Sequence, residues 1–283
     1  MTLIMGAVGY DPKAVTIWEG FRRYFRQQSF SFDYVLYSNY ERQVEALFDG
    51  TIHVAWNSPL AWVRSRRLAR ARGSAVRAIA MRDTDCGVTS VIAVRADSLI
   101  QSPADLRGKS VSVGALDSPQ ATLIPLSHLY NKGLTPKVHF GVHRHDLFVG
   151  KHGDHLGGER QAAETLMAGK ADAACMIDSN YHLFLADGTL QPGSTRILTR
   201  TSSYDHCNMT AGRDAPRDLI ERFRKLLLEM SYQDPEVRPL FDLEGLKAWK
   251  DGREDGYEAL EAAVDLLGLY DQAGNITCTE YTY

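Results

Sequence analysis

Apolar residues along the chain follow two spacings, one typical of strands and one typical of helices. Short apolar runs at Leu3 to Val8, Phe32 to Tyr37 and Ile52 to Trp56 predict three strands. The segments between these runs place apolar residues three or four positions apart, as amphipathic helices do. Strands that alternate with helices predict an α/β fold with parallel strand pairing.

The alternation continues through the rest of the chain. Thr89 to Arg95, Ser110 to Gly114 and Ala171 to Ile177 are predicted strands. In two places a helix ends on glycine, a buried strand follows, and polar residues stand at the carboxyl end of that strand. Ligands in open α/β sheets bind beyond the carboxyl ends of strands, so this recurrence favours two α/β lobes that face one cleft. The alternative is that helix-glycine-strand units are common in every α/β protein.

Composition excludes several function classes. The chain has 283 residues with 32 basic and 35 acidic side chains, a formal charge of −3. This balance gives no global attraction for nucleic acid or anionic lipid. Seven arginines between Leu60 and Arg82 have no acidic residue among them. A nucleic-acid stripe is one interpretation, but the absence of interleaved aromatics favours a solvated helix face. We therefore expect no nucleic-acid partner.

Cysteine spacing and the N-terminal residues bear on the compartment. The four cysteines form no CxxC pair and no dense framework, so reduced thiols are expected. No apolar run reaches the roughly 18 residues of a membrane span, so we expect no membrane insertion. The first residues resemble a strand rather than a secretory signal. We expect a cytoplasmic protein as the chain stands, or a periplasmic or lipid-anchored one if a leader has been removed.

Histidines concentrate in one polar segment. Five of the nine lie within seventeen residues: His139, His143, His145, His152 and His155. Two imidazoles and a carboxylate form a common site for a divalent transition metal, so His152, His155 and Glu159 are a candidate metal site. The alternative is a loop of solvated or hydrogen-bonded histidines. Its glycines would allow the loop to move as a lid over a cleft.

A second candidate lies in the segment Tyr204 to Asn208. His206 stands beside Cys207, but adjacent residues on an extended strand point in opposite directions. We therefore expect one of the two side chains to face a cleft and the other to turn away. Cys175, in an apolar strand, is expected to be a core thiol.

The segment from Val88 to Leu126 carries a specific resemblance. It contains a strand followed by Ser102-Pro103-Ala104-Asp105-Leu106-Arg107-Gly108-Lys109, the strand Ser110 to Gly114, and Ser118 at the next helix start. Together with Ala168 to Ala174 and Glu244 to Lys247, it resembles the phosphate/phosphite/phosphonate-type periplasmic binding proteins of ABC importers. The resemblance extends over almost the whole chain.

The resemblance implies a two-lobed type II periplasmic-binding-protein fold. Each lobe would be a mostly parallel sheet flanked by helices, with crossing strands at Thr89 to Arg95 and Arg196 to Thr210. Lobe one would comprise residues 1–93 and 196–283, and lobe two residues 94–195. Such proteins close about a hinge around a small-molecule ligand. An ABC permease is the partner that the resemblance suggests.

The resemblance also implies a site with two departures from the family pattern. Relatives carry a Ser-Thr-Ser run at the helix start that cradles an oxyanion, where this chain has Ser118-Pro119-Gln120. Relatives place a histidine where Glu159 stands here. A carboxylate repels an anion and attracts an amine or a metal. We therefore expect a ligand with a head group other than phosphate or phosphonate.

The leading hypothesis is a binding protein that closes on a small polar or charged solute. The alternative is a cytosolic enzyme on the same scaffold that acts on a small organic substrate, with or without a metal. For Trp56, the sequence supports packing in the core as well as it supports contact with a ligand. The candidate ligand-binding residues are Tyr10, Trp56, Asn57, Ser58, Ser118, Gln120, Glu159, Asp178 and His206.

Overall fold

Two β-sheets flanked by helices form the framework of the protein. The structure, a computed structural model, describes residues 1–153 and 157–283. The first sheet contains β1 (Leu3–Val8), β2 (Phe32–Tyr37), β3 (Val54–Asn57), β4 (Arg77–Arg82), β10 (Asn208–Ala211) and β11 (Trp249–Asp251). The second contains β5 (Ser90–Arg95), β6 (Ser110–Val113), β7 (Gly141–Arg144), β8 (Ala173–Ile177) and β9 (Thr195–Arg200).

Helices pack on both sheets. The described residues include α1 (Lys13–Gln27), α2 (Tyr40–Phe48), α3 (Pro59–Ala71), α4 (Ile124–Asn131), α5 (Gly157–Met167), α6 (Asp178–Ala186), α7 (Arg217–Glu229), α8 (Arg238–Glu244) and α9 (Glu258–Leu267). No helix among residues 1–153 and 157–283 is both long and apolar enough to cross a membrane. The two-sheet α/β architecture confirms the predicted fold class.

Both sheets are mixed rather than mostly parallel. In the first, with order β11-β4-β10-β3-β1-β2, β1 pairs in parallel with β2 and β3, and the other neighbours are antiparallel. In the second, β7-β6-β8-β5-β9, β6 pairs in parallel with β7 and β8, while β5 is antiparallel to β8 and β9. Parallel neighbours within one sheet are joined by a crossover connection. By contrast, the chain enters β5 and β10 directly from the opposite sheet.

Two segments carry the chain between the sheets. Residues 83–89 lead from β4 to β5, and residues 201–207 lead from β9 to β10; a bridge between Val88 and Tyr204 joins them. The expectation of one crossing strand from Arg196 to Thr210 is therefore wrong, because the chain leaves one sheet before it enters the other. The expected lobe boundaries after residues 93 and 195 fall within β5 and at the start of β9, which both pair in the second sheet.

The core of the first sheet is aromatic. Helix α1 buries Trp18, Phe21 and Phe25, which recur at helical spacing. Phe25 and Phe32 contact Phe223 of α7 with ring centroids 5.3 and 5.8 Å apart. Such ring pairs contribute roughly 0.5–1.5 kcal/mol beyond the area that they bury. This packing fixes α1, and with it the residues that precede the helix.

The expectation that the arginines between Leu60 and Arg82 form a solvated helix face is wrong for two of them. Arg64 and Arg67 are buried rather than solvated, because their guanidinium groups donate to the backbone carbonyls of Gly274 and Tyr270. These bonds hold the C-terminal segment on α3. The tail from residue 275 onward is also anchored, because Tyr281 is only 5% exposed and its hydroxyl donates to Glu41.

Candidate functional site

A cleft between the two sheets forms the candidate site. It encloses a cavity of about 530 Å³ next to both crossing segments. Its lining comes from the end of β1, the end of β4, the helix start at residue 120, α5, the β8–α6 junction and the second crossing segment. The lining residues are Tyr10, Asp11, Lys13, Arg82, Thr84, Asp85, Val88, Gln120, Glu159, Ile177, Ser179, Asn180, His206 and Gly245.

Glu159 is the buried carboxylate on the second-sheet side of the cleft. It lies in the first turn of α5, with 2% of its surface exposed. Its Oε2 accepts from the backbone N–H of Ile177 at 2.8 Å and from Asn180 at 3.0 Å, and its Oε1 accepts from Gln120 at 3.1 Å. Burial raises the pKa of Glu159 above its ordinary value, although these hydrogen bonds act in the opposite direction.

The helix start at Ser118-Pro119-Gln120 is filled by a nearby loop of the same chain. Ser118 Oγ accepts from the N–H of Ala121, which caps the helical segment. The side-chain amide of Gln120 donates to the carbonyl of Gly153 at 2.8 Å. Gly153 lies so close to Ser118 that a Cβ at this position would overlap the serine side chain. A backbone carbonyl therefore contacts the helix start at which the resemblance places the oxyanion cradle of relatives.

Residues 147–153, the bridging loop, connect the two lobes. The carbonyl of Gly150 accepts from the N–H of Tyr40 at 2.9 Å, and Lys151 Nζ donates to the carbonyl of Gly9 at 2.7 Å. On the other side, Asp117 accepts from the N–H of Gly150 at 2.6 Å. The part of the expected lid that the structure describes is therefore bonded to both lobes.

His152 anchors the bridging loop in a buried polar cluster. Its Nδ1 is 2.5 Å from Ser58 Oγ and its Nε2 is 2.9 Å from Glu41 Oε1, while its ring stacks on Tyr40. Burial acts to raise the pKa of Glu41, but His152 and the hydroxyl of Tyr281 hold that pKa below its ordinary value. The cluster ties α2, α3, the loop and the C-terminal tail together.

Two members of the expected metal-binding set have different contacts among the described residues. The His152 ring contacts Ser58 and Glu41, whereas the Glu159 carboxylate contacts Gln120, Ile177 and Asn180. His155 lies outside the described residues. Other histidines of the segment have structural partners: His145 Nε2 is 2.9 Å from Ser112 Oγ, and its ring stacks on His143. The metal set remains a prediction.

The second crossing segment brings His206 next to an ion pair. Arg82 binds both carboxylate oxygens of Asp85, with N–O distances of 2.6 and 2.9 Å. Burial acts to raise the pKa of Asp85, but the Arg82 guanidinium lowers it to about 2. His206 Nδ1 lies 3.3 Å from Asp85 Oδ1 and 3.2 Å from Cys207 Sγ.

Only one of the two side chains, His206, faces the cleft, as expected, but the two do not point apart, since Cys207 Sγ lies 3.2 Å from His206 Nδ1. Residues 201–207 are not a regular strand, so alternation of side chains does not apply to them. Only His206 lines the cavity, while Cys207 is 3% exposed beside it. Cys175 is fully buried in the core, as expected.

Several candidate residues lie outside the cavity lining. Trp56 packs edge-on against Trp249, with centroids 5.6 Å apart, in the core of the first sheet. Asn57 is fully buried and donates to Thr210 Oγ1 at 2.9 Å. Asp178 accepts from Arg200 at 2.9 Å. Ser58 Oγ accepts from the N–H of Ala61 and caps α3, as Ser118 caps its own helical segment. The polar groups of Asn57, Asp178 and the two serines form hydrogen bonds within the protein.

The structure gathers four of the nine candidates around the cavity, namely Tyr10, Gln120, Glu159 and His206. Ligand contact by these residues stays a prediction. Sequence reasoning missed Arg82 and Asp85, which lie at the end of β4 and in the turn after it. The available signal was their position, because polar residues just beyond a strand end are common at α/β ligand sites.

Comparisons with known proteins agree with this architecture. A family model described as "ABC transporter, phosphonate, periplasmic substrate-binding protein" matches residues 9–257. PhnD1 from Prochlorococcus marinus, solved with methylphosphonate, superposes with a TM-score of 0.69 at 18% identity, covering 94% of this chain and 98% of the other. A Xanthomonas citri protein solved with ATP gives 0.68 at 14% identity, covering 94% and 96%.

A third solved structure extends the comparison. A binding protein component of an ABC phosphonate transporter from Pseudomonas aeruginosa gives a TM-score of 0.63 at 11% identity, covering 99% of this chain and 91% of the other. These TM-scores show the shared two-lobed type II fold. The comparisons lend no support to the alternative of an enzyme on this scaffold. Because the family model spans most of the sequence, the chain belongs to the phosphonate-type periplasmic substrate-binding proteins of ABC transporters.

Proposed function

We propose that this protein delivers a small organic solute with a cationic nitrogen to an ABC permease. The solute would occupy the cleft, and the lobes would close on it by hinge motion at the two crossing segments. The family model names a periplasmic component, so we propose that this chain works outside the cytoplasm. The observation that carries the proposal is the buried carboxylate of Glu159 at the cleft wall.

The charge balance of the cavity supports a cationic group. Three carboxylates line it, on Asp11, Asp85 and Glu159, against the cations of Lys13 and Arg82. Arg82 is committed to Asp85 by two short hydrogen bonds. The lining therefore has no surplus of positive charge for a free oxyanion, whereas a cationic nitrogen gains from the Glu159 carboxylate.

Occupation of the helix start supports the same ligand class. Phosphonate and phosphate bind well where backbone N–H groups and a helix dipole are open to them. Here Pro119 supplies no N–H, and the carbonyl of Gly153 accepts the Gln120 amide. A bare oxyanion would have to displace the bridging loop, which is bonded to both lobes. PhnD1 was solved with methylphosphonate; we expect this chain to reject that ligand.

A thermal-shift panel tests the proposal. Phosphate, methylphosphonate, ethanolamine and 2-aminoethylphosphonate are compared at equal excess. We expect stabilisation only by the ligands that carry an amine, because a ligand that binds the native state raises its melting temperature. Stabilisation by methylphosphonate equal to that by 2-aminoethylphosphonate would contradict the proposal.

Glu159→Gln is the matching variant, with Glu164→Gln as its control. Both residues lie on α5, but Glu164 is exposed and faces away from the cavity lining. We expect Glu159→Gln to remove the response to amines and Glu164→Gln to retain it. An unchanged amine response in Glu159→Gln would show that this carboxylate does not select the ligand.

A further inference from the structure

We propose that Asp85, His206 and Cys207 bind one divalent transition metal ion, with Zn²⁺ as the best match. The three residues offer a carboxylate oxygen, an imidazole nitrogen and a sulfur whose positions all lie within 4.8 Å of one another. Zinc accepts this mixed donor set. The inference goes beyond the proposed function, because metal binding is measured without any solute.

Two of the three separations between the donor atoms are close to those of a tetrahedral site. His206 Nδ1 lies 3.3 Å from Asp85 Oδ1 and 3.2 Å from Cys207 Sγ. Metal–ligand bonds of about 2.0–2.3 Å place tetrahedral donors roughly 3.3–3.6 Å apart. His206 Nδ1 therefore lies from each of the other two donor atoms at nearly the spacing that a bound ion requires.

Charge and burial favour an ion at this point. Asp85 and Cys207 are 2% and 3% exposed, and His206 is 8% exposed. The carboxylates of Asp85 and Glu244 and the guanidinium of Arg82 sum to a formal charge of −1, and the thiolate that Cys207 would form on binding a metal brings the sum to −2. A divalent cation neutralises that charge, and buried charges require such compensation. Metal binding favours the thiolate form of cysteine.

The surroundings resemble the outer shell of a metal site. Arg82 donates to both oxygens of Asp85, and Glu244 lies 3.4 Å from Arg82. Tyr257 donates to the backbone carbonyl of His206 at 3.0 Å. Such outer contacts orient ligands. Because Asp85 and His206 line the cavity, the ion would lie at the wall of the cleft.

Cobalt titration of the purified full chain, free of affinity tags, tests the site. Co²⁺ replaces Zn²⁺ and gives a thiolate-to-cobalt charge-transfer band when a cysteine binds it. We expect this band to saturate at one equivalent and to disappear when one equivalent of Zn²⁺ is added. Absence of the band in folded protein would overturn the proposal and leave a hydrogen-bonded Cys–His–Asp cluster.

Two variants and one control identify the ligands. Cys207→Ser should abolish the band and His206→Gln should weaken cobalt binding by at least about tenfold. Cys175→Ser is the control, because Cys175 is a buried cysteine of the second-sheet core. Circular dichroism reports folding of each variant. Retention of the band in folded Cys207→Ser would overturn the assignment. Solute binding by metal-free protein would leave the proposed function intact even if cobalt does not bind.

Discussion

Replacing Gly153 with alanine tests whether the bridging loop presses on the expected anion cradle. Gly153 has φ +67°, a left-handed conformation that residues with a Cβ rarely adopt. A Cβ at this position would overlap the side chain of Ser118 and lie 3.0 Å from its Cα. The substitution therefore adds backbone strain and a steric conflict with the cradle.

A matched control separates the two contributions. Gly169 has φ +69°, and a Cβ there would meet no atom within 4 Å. We expect Gly169→Ala to lower the free energy of unfolding by about 1–2 kcal/mol from left-handed strain alone. Gly153→Ala should lose the same amount plus about 1–3 kcal/mol from overpacking, since the loop or Ser118 must shift.

Urea unfolding followed by circular dichroism measures the difference between the variants. The expected result is a lower urea midpoint for Gly153→Ala than for Gly169→Ala, with similar m-values. Equal midpoints would refute the reasoning, because they would show that the loop does not rest against Ser118 in solution. The helix start would then be open to an oxyanion.

Three further predictions follow from buried groups. Tyr281→Phe removes a 2.6 Å hydrogen bond to Glu41 and should lower the free energy of unfolding by about 1.5–3 kcal/mol in urea, whereas exposed Tyr283→Phe should change it by less than about 0.5 kcal/mol. Because burial raises the pKa of Glu159, calorimetric affinity for a cationic solute should fall as the pH drops toward that raised pKa; a loss that begins only below 4.5 would contradict this. Burial also raises the pKa of Cys175, so a thiol reagent followed by mass spectrometry should leave it unlabelled in native protein, and rapid labelling would contradict its core position.

Strands and helices could be predicted where the sequence of a segment alone determines its secondary structure. The strands Leu3–Val8 and Phe32–Tyr37 have the predicted bounds, because continuous apolar runs specify buried strands locally. The expected strand from Arg196 to Thr210 is broken because its two halves pair in different sheets. These pairings are with β5 and β3, which are distant in sequence.

The site was less predictable, because its polar groups satisfy one another over long sequence separations. Asn57 follows a strand end, as ligand residues do, but its amide bonds to Thr210, 153 positions away. The sequence made His152 a candidate metal ligand, but its two ring nitrogens contact Glu41 and Ser58. Gln120 and Glu159 were found by resemblance, since they replace residues of the family pattern.

Isothermal titration calorimetry with two phosphonates tests the central claim most directly. Methylphosphonate and 2-aminoethylphosphonate share the oxyanion and differ in the amine, which the Glu159 carboxylate is proposed to select. The account predicts saturable binding of 2-aminoethylphosphonate at one site and no measurable heat with methylphosphonate. Tight binding of methylphosphonate would contradict it, because the oxyanion would then bind without help from the carboxylate.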